Sequence, residues 1–122
     1  MTKHKYDGTW NYFEMSDGSS ATVPARRDDL ILAIPHEEGG EVDETHSSQA
    51  GFPVDGNATN NGLNLTRTEP GNKRTLKGKT VFEKTCDDGV LHVVIVGRFK
   101  DAATNGPGLA AQNEGTWVVS KP

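Results

Sequence analysis

Short runs of β-branched and aromatic residues, separated by glycine, proline, asparagine and aspartate, set the pattern of this chain. Punctuation of that kind marks strands joined by turns. Residues 9–15 lie between Asp7-Gly8 and Asp17-Gly18 and predict a strand with Trp10 and Tyr12 on one face, Phe13 and Met15 on the other. Residues 29–34, stopped by Pro35, predict a second strand, because the run is too short and too β-branched for a helix. Alternation then dissolves between residues 36 and 61, where at most two short edge strands are expected, over residues 41–45 and around Val54. Residues 63–68 alternate apolar with polar groups up to Pro70-Gly71 and predict a half-buried strand.

The strongest pattern spans residues 75–99, where two β-rich runs flank Asp88-Gly89, a dipeptide suited to a two-residue hairpin turn. That turn would set Phe82 opposite Ile95, Val81 opposite Val96, Cys86 opposite Leu91 and Thr85 opposite His92. One face then gathers Leu76, Phe82, Cys86, Leu91, Val93, Ile95 and Phe99, with Gly78 and Gly97 between them, and is expected to face the core. The other face carries Val81, Val90, Val94 and Val96 beside Lys79, Glu83, His92 and Arg98, more apolar than a solvated surface needs. A Gly- and Asn-rich stretch at residues 100–114 predicts a long loop, and Gly115-Thr-Trp-Val-Val119 a last strand. Antiparallel strands numbering about seven to eight, with little or no helix, predict one all-β domain over residues 1–122. Its form is expected to be an up-and-down barrel or a strongly curled sheet, since closure removes exposed edges.

Composition narrows the partners. The chain has 122 residues, 33% of them hydrophobic, and a mean hydropathy of −0.64. No run approaches the roughly 20 apolar residues of a spanning helix, so no membrane partner is expected. A net charge of −4 argues against nucleic acid. With Cys86 as the only cysteine, neither an intrachain disulfide nor a Cys-based zinc site can form. A start without an apolar signal core points to a cytoplasmic protein, with secretion after signal removal as the alternative. Asn57-Ala-Thr59 and Asn64-Leu-Thr66 match the glycosylation pattern, which matters only in that alternative. Residues 36–55 carry Glu37, Glu38, Glu41, Asp43, Glu44 and Asp55 without Lys or Arg, whereas Arg67, Lys73, Arg74, Lys77, Lys79 and Lys84 crowd residues 67–84. Such polarity can steer a charged ligand or orient self-association, and lysines also keep strand edges from pairing.

Gly8-Thr9-Trp10 at the head of the first strand resembles the Gly-x-Trp opening of the lipocalin and avidin-like barrels, and Gly115-Thr-Trp117 repeats it. The resemblance implies a closed barrel with Trp10 plugging one end against a basic residue of a late strand, for which Arg98 is the matching position. It does not carry biotin binding, because the interior tryptophans of avidin are missing, as is the lipocalin disulfide.

Three functions follow as expectations. The first is a non-catalytic barrel holding a small, partly apolar ligand in its mouth, with Trp10, Tyr12, Trp117 and Arg98 as ligand-binding residues and residues 100–114 as a lid. The second is a self-associating module, a homodimer joined through Val81, Val90, Val94 and Val96. The third is an isomerase or cyclase in which Glu83, diagonal to His92, shares acid and base roles with it; the plainer alternative is a histidine bonded to Thr85. Cys86 beside Asp87-Asp88 is a poor nucleophile, since adjacent carboxylates disfavour the thiolate, and is expected as a small buried filler. His36, Glu37, Glu38, Asp43, Glu44 and His46 match no metal-ligand spacing, and no cofactor is expected.

Overall fold

A computed structural model describes residues 3–104 and 113–121. Eight strands follow in order: β1 Gly8–Ser16, β2 Ala25–Leu32, β3 Ser48–Gln49, β4 Phe52–Thr59, β5 Gly62–Glu69, β6 Asn72–Thr85, β7 Leu91–Ala103 and β8 Glu114–Lys121. Each pairs antiparallel with the next, and β8 pairs back on β1, so the sheet closes. The expected all-β up-and-down barrel is the observed fold, with one 3-10 turn at Glu44–His46. No helix among the described residues is long and apolar enough to cross a membrane.

Period-two alternation sends Trp10, Tyr12, Leu63, Leu65, Leu76, Ile95, Phe99, Trp117 and Val119 inward, where they fill the barrel. Gly78 and Gly97 face each other across β6 and β7, and Trp117 stands opposite Gly97 on β8. A Cβ on Gly78 would lie 2.7 Å from the Trp117 ring, so the glycines make the space the indole occupies. One end of the barrel is sealed by the N-terminal segment. There Trp10 Nε1 donates to the Tyr6 carbonyl at 3.0 Å, and the Tyr6 hydroxyl hydrogen-bonds Thr80. The other end, the mouth, carries the β3–β4 and β5–β6 turns and the start of β8.

Several local expectations are corrected. The hairpin does not close through two residues: Gly89 N–H donates to Cys86 O, Cys86 N–H donates to Val90 O, and Gly89 has φ +81°. This is a three-residue loop with glycine in the left-handed position. A bulge at Val81 adds a further slip, so Thr80 faces Ile95, Phe82 faces Val94 and Lys84 faces His92. One extra residue inverts the alternation beyond it. Phe82, expected in the core with Ile95, is therefore 49% exposed, while Ile95 is fully buried. Cys86 is half-buried rather than a core filler. The second strand lies at Ala25–Leu32, earlier than expected, and Glu41 makes only an isolated bridge to Asn57. Strand β7 runs on through residues 100–103 of the expected loop, and residues 105–112 of the expected lid lie outside the described residues.

Candidate functional site

The barrel interior changes character at the mouth. Arg67 on β5 stands directly opposite Arg74 on β6, which stands opposite Asp101 on β7. All three are buried, as are Glu14 on β1 and Gln49 on β3. They occupy inward positions because the strands keep their alternation: Glu14 continues the Trp10 and Tyr12 face, Arg67 the Leu63 and Leu65 face, Arg74 the Leu76 face and Asp101 the Phe99 face.

Arg74 is fully engaged. Its Nε and Nη2 donate to the two oxygens of Asp101 at 2.7 and 2.9 Å, and Nη1 donates to Glu14 Oε1 at 2.9 Å. Its guanidinium lies 4.0 Å from the Phe99 ring centre. Burial opposes ionisation of Asp101, but the Arg74 hydrogen bonds and charge outweigh it and hold the carboxyl below its usual range. Arg67 is differently placed. Nη1 donates to the neutral amide oxygen of Gln49, Nη2 lies 3.5 Å from Glu69, and Nε has no hydrogen-bond partner. The buried Tyr12 hydroxyl also lacks an acceptor. Burial, and then the Glu14 charge, push its pKa above the ordinary value, with the arginines opposing, so the hydroxyl stays protonated. Each unmet buried donor costs about 1–3 kcal/mol.

A cleft of about 240 Å³ opens on this layer, lined by Glu14, Arg27, Gln49, Ala50, Phe52, Arg67, Arg74 and Asn113. Three larger clefts lie among the described residues: one of about 520 Å³ beside Lys77, Arg98 and Lys100, one of about 490 Å³ beside Glu41, Asp43 and Glu44, and one of about 310 Å³ beside Lys3, His4 and Lys5. In the 490 Å³ cleft, Asp43 pairs with His46, and no group of three or more metal-ligating side chains assembles among the described residues.

The residues singled out in sequence fall elsewhere. Trp10 closes the sealed end, and Tyr12 stacks on Trp117 with ring centres 6.3 Å apart. Arg98 is not the cation against Trp10: it points outward and pairs with Asp17, while Lys121 Nζ lies 5.7 Å from the Trp10 ring centre. Glu83 and His92 do not form a pair. Glu83 turns to Lys5 and Tyr6, and His92 sits across from Lys84 on the outer face. Of the outer valines, Val81 is 64% exposed and Val90 and Val96 each 41%, Val94 is half-buried, and Val81 sits in the bulge, with Lys79 rather than Val81 itself opposite Val96. Sequence patterning groups Arg67 and Arg74 with the basic cluster of residues 67–84; their parity is legible there, but the partners they meet are not.

No family model, curated protein or solved structure gives a significant match to the chain.

Proposed function

We propose that this chain is a non-catalytic binding barrel that seats a small molecule in its mouth, on the layer formed by Glu14, Gln49, Arg67 and Arg74. The observation that carries the reading is a cleft opening on buried charged side chains, one of which keeps an unpartnered donor. Burying so many charges is costly, and an apolar layer would close the barrel at less expense. Below the mouth the barrel is filled, so the ligand sits at the rim with Phe52 and Ala50 as its apolar wall. Trp10, Tyr12 and Trp117 then support the site rather than line it. Kinship with the lipocalin and avidin-like barrels belongs to this reading and is supported by Gly8-Thr9-Trp10 opening β1 with Lys121 over the Trp10 ring. A cytoplasmic location is supported by a barrel held without disulfides. Amide NMR titration with a panel of small metabolites tests the function. Saturable shifts grouped at Gln49, Phe52, Arg67, Arg74 and Asn113 support it, and a panel that moves only outer-wall residues, or nothing, refutes it.

A second reading, homodimerisation through the outer wall, is favoured by the exposure of Phe82 beside Val81 and Val96. Val96 faces Val118, which in turn faces Phe13, so the apolar surface continues across β7, β8 and β1. Light scattering should show a dimer that Val94→Lys dissociates, and a monomer at every concentration removes this reading.

A further inference from the structure

We infer that the ligand of the mouth is a small oxyanion, a carboxylate or a phosphate, taken by the guanidinium of Arg67 with Arg27 beside it. The inference rests on the reading of the mouth as the binding site and names the chemistry that site selects.

Three arginines, from β2, β5 and β6, line the cleft, and Glu14 is the one acidic residue among its described lining. The Glu14 carboxylate is already committed to Arg74, and Asp101, the other partner of Arg74, does not line the cleft. Arg67 is the group left over. It faces the like charge of Arg74 directly across the sheet, an arrangement that is unfavourable unless each cation has its own counter-charge. Arg74 has two carboxylates, whereas Arg67 has a neutral amide and the edge of Glu69 at 3.5 Å.

Two of the unmet buried groups are donors. Arg67 Nε–H and the protonated Tyr12 hydroxyl both lack an acceptor, and Tyr12 is buried close enough for the charges of Glu14, Arg74 and Arg67 to act on it. A third unmet atom, Asn72 Oδ1, is an acceptor at the start of β6; the Asn72 amide donates to Glu69, and the residue does not line the cleft. An oxyanion in the cleft supplies what Arg67 Nε–H lacks; Tyr12 lies beneath the cleft and does not line it. Charge-assisted bonds to guanidinium are stronger than those to an amide, so the anion displaces Gln49 Oε1 from Arg67 and turns the fork so that Nε joins the contact. Gln49 thus holds the arginine until the anion takes its place. Phe52, whose ring centre lies 5.7 Å from the Arg67 guanidinium, gives an organic carboxylate a flat apolar wall.

The test is a titration of the whole chain, in chloride-free buffer at fixed ionic strength, with inorganic phosphate, benzoate and the neutral benzamide. The Arg67 Nε–H resonance and the Gln49 and Asn113 amides are the reporters. A saturable shift of Arg67 Nε–H with phosphate or benzoate, at least tenfold tighter than with benzamide, is expected, and the arm that saturates identifies the anion. Arg67→Met should weaken it tenfold or more, while Arg98→Ala, on the outer wall, should leave it unchanged. The resonance of the unaltered protein decides the matter even where Arg67→Met fails to fold. Benzamide moving the mouth as well as benzoate does would overturn the anion and leave the binding site standing. Mouth resonances unmoved by all three probes, or shifts confined to Lys77, Arg98 and Lys100, would overturn it as well.

Discussion

Arg74 gives every nitrogen of its fork to the carboxyl groups of Glu14 and Asp101, and this favours the ionised form of Asp101 where water barely reaches. Arg74→Met would strand two buried negative charges, and urea denaturation should show a loss of about 3–5 kcal/mol. Adding Glu14→Gln and Asp101→Asn should recover most of it. Because the folded Asp101 carboxyl lies below its ordinary value, the unfolded chain takes up the proton more readily. Its contribution is therefore complete above about pH 4 and falls away as the pH drops towards the folded value. His4 acts at the sealed end. Its Nδ1 accepts the Tyr6 N–H at 3.1 Å, which requires a neutral ring, and burial and then Lys5 lower its pKa while Asp7 and Glu37 oppose. The unfolded histidine again binds the proton first, so stability should decline as the pH falls below about 6.5. His4→Asn, which keeps an acceptor but cannot titrate, should flatten the dependence of the urea midpoint between pH 7 and pH 5.

In the β6–β7 ribbon, strand patterning and turn chemistry make separate demands. The alternation of Leu76, Gly78, Ile95 and Phe99 set the inward face correctly, because a residue parity survives any even shift of register. The register differs from the two-residue expectation because Asp88-Gly89 serves equally as the end of a three-residue loop, and nothing local announces a bulge at Val81. Glycine substitutions separate the two demands. At Gly89 there is open space but φ is +81°, so Gly89→Ala should cost about 1 kcal/mol from backbone conformation alone. At Gly97 a Cβ would lie 2.0 Å from the Lys77 carbonyl oxygen, and the strands must part to admit it. Gly97→Ala should therefore lower thermal stability much more than Gly89→Ala, and near-UV circular dichroism should show a disturbed Trp117 environment.

For the molecule as a whole, closure is the decisive event: β8 joins β1, and the longest ribbon, β6–β7, is tied in through β8. Trp10 reports the sealed end and Trp117 the space beside the glycine pair, in one continuous core. Thermal unfolding followed by fluorescence and by far-UV circular dichroism should give one coincident transition. Deleting residues 114–121 opens edges on both β1 and β7, and the product should be unfolded or aggregated. Charge is also distributed at this scale. The acidic segment ties onto β4, where Val42 N–H donates to Gly56 O, while Lys77 and Arg98 face each other on the outer wall of β6–β7. An anion approaching the protein therefore meets fields of opposite sign on different sides.

The strand content, the inward faces of Trp10, Tyr12, Leu63, Leu65 and Phe99, and the absence of any disulfide all followed from the chain alone. They depend on residue type and period, which are local properties. Which cation meets Trp10, where Phe82 points, and that Glu14, Gln49, Arg67, Arg74 and Asp101 form one layer were decided only when the sheet closed. Those residues come from five strands, and their meeting depends on register and closure summed around the barrel. No short window of sequence carries that sum, because the partners of each charge lie on strands far along the chain.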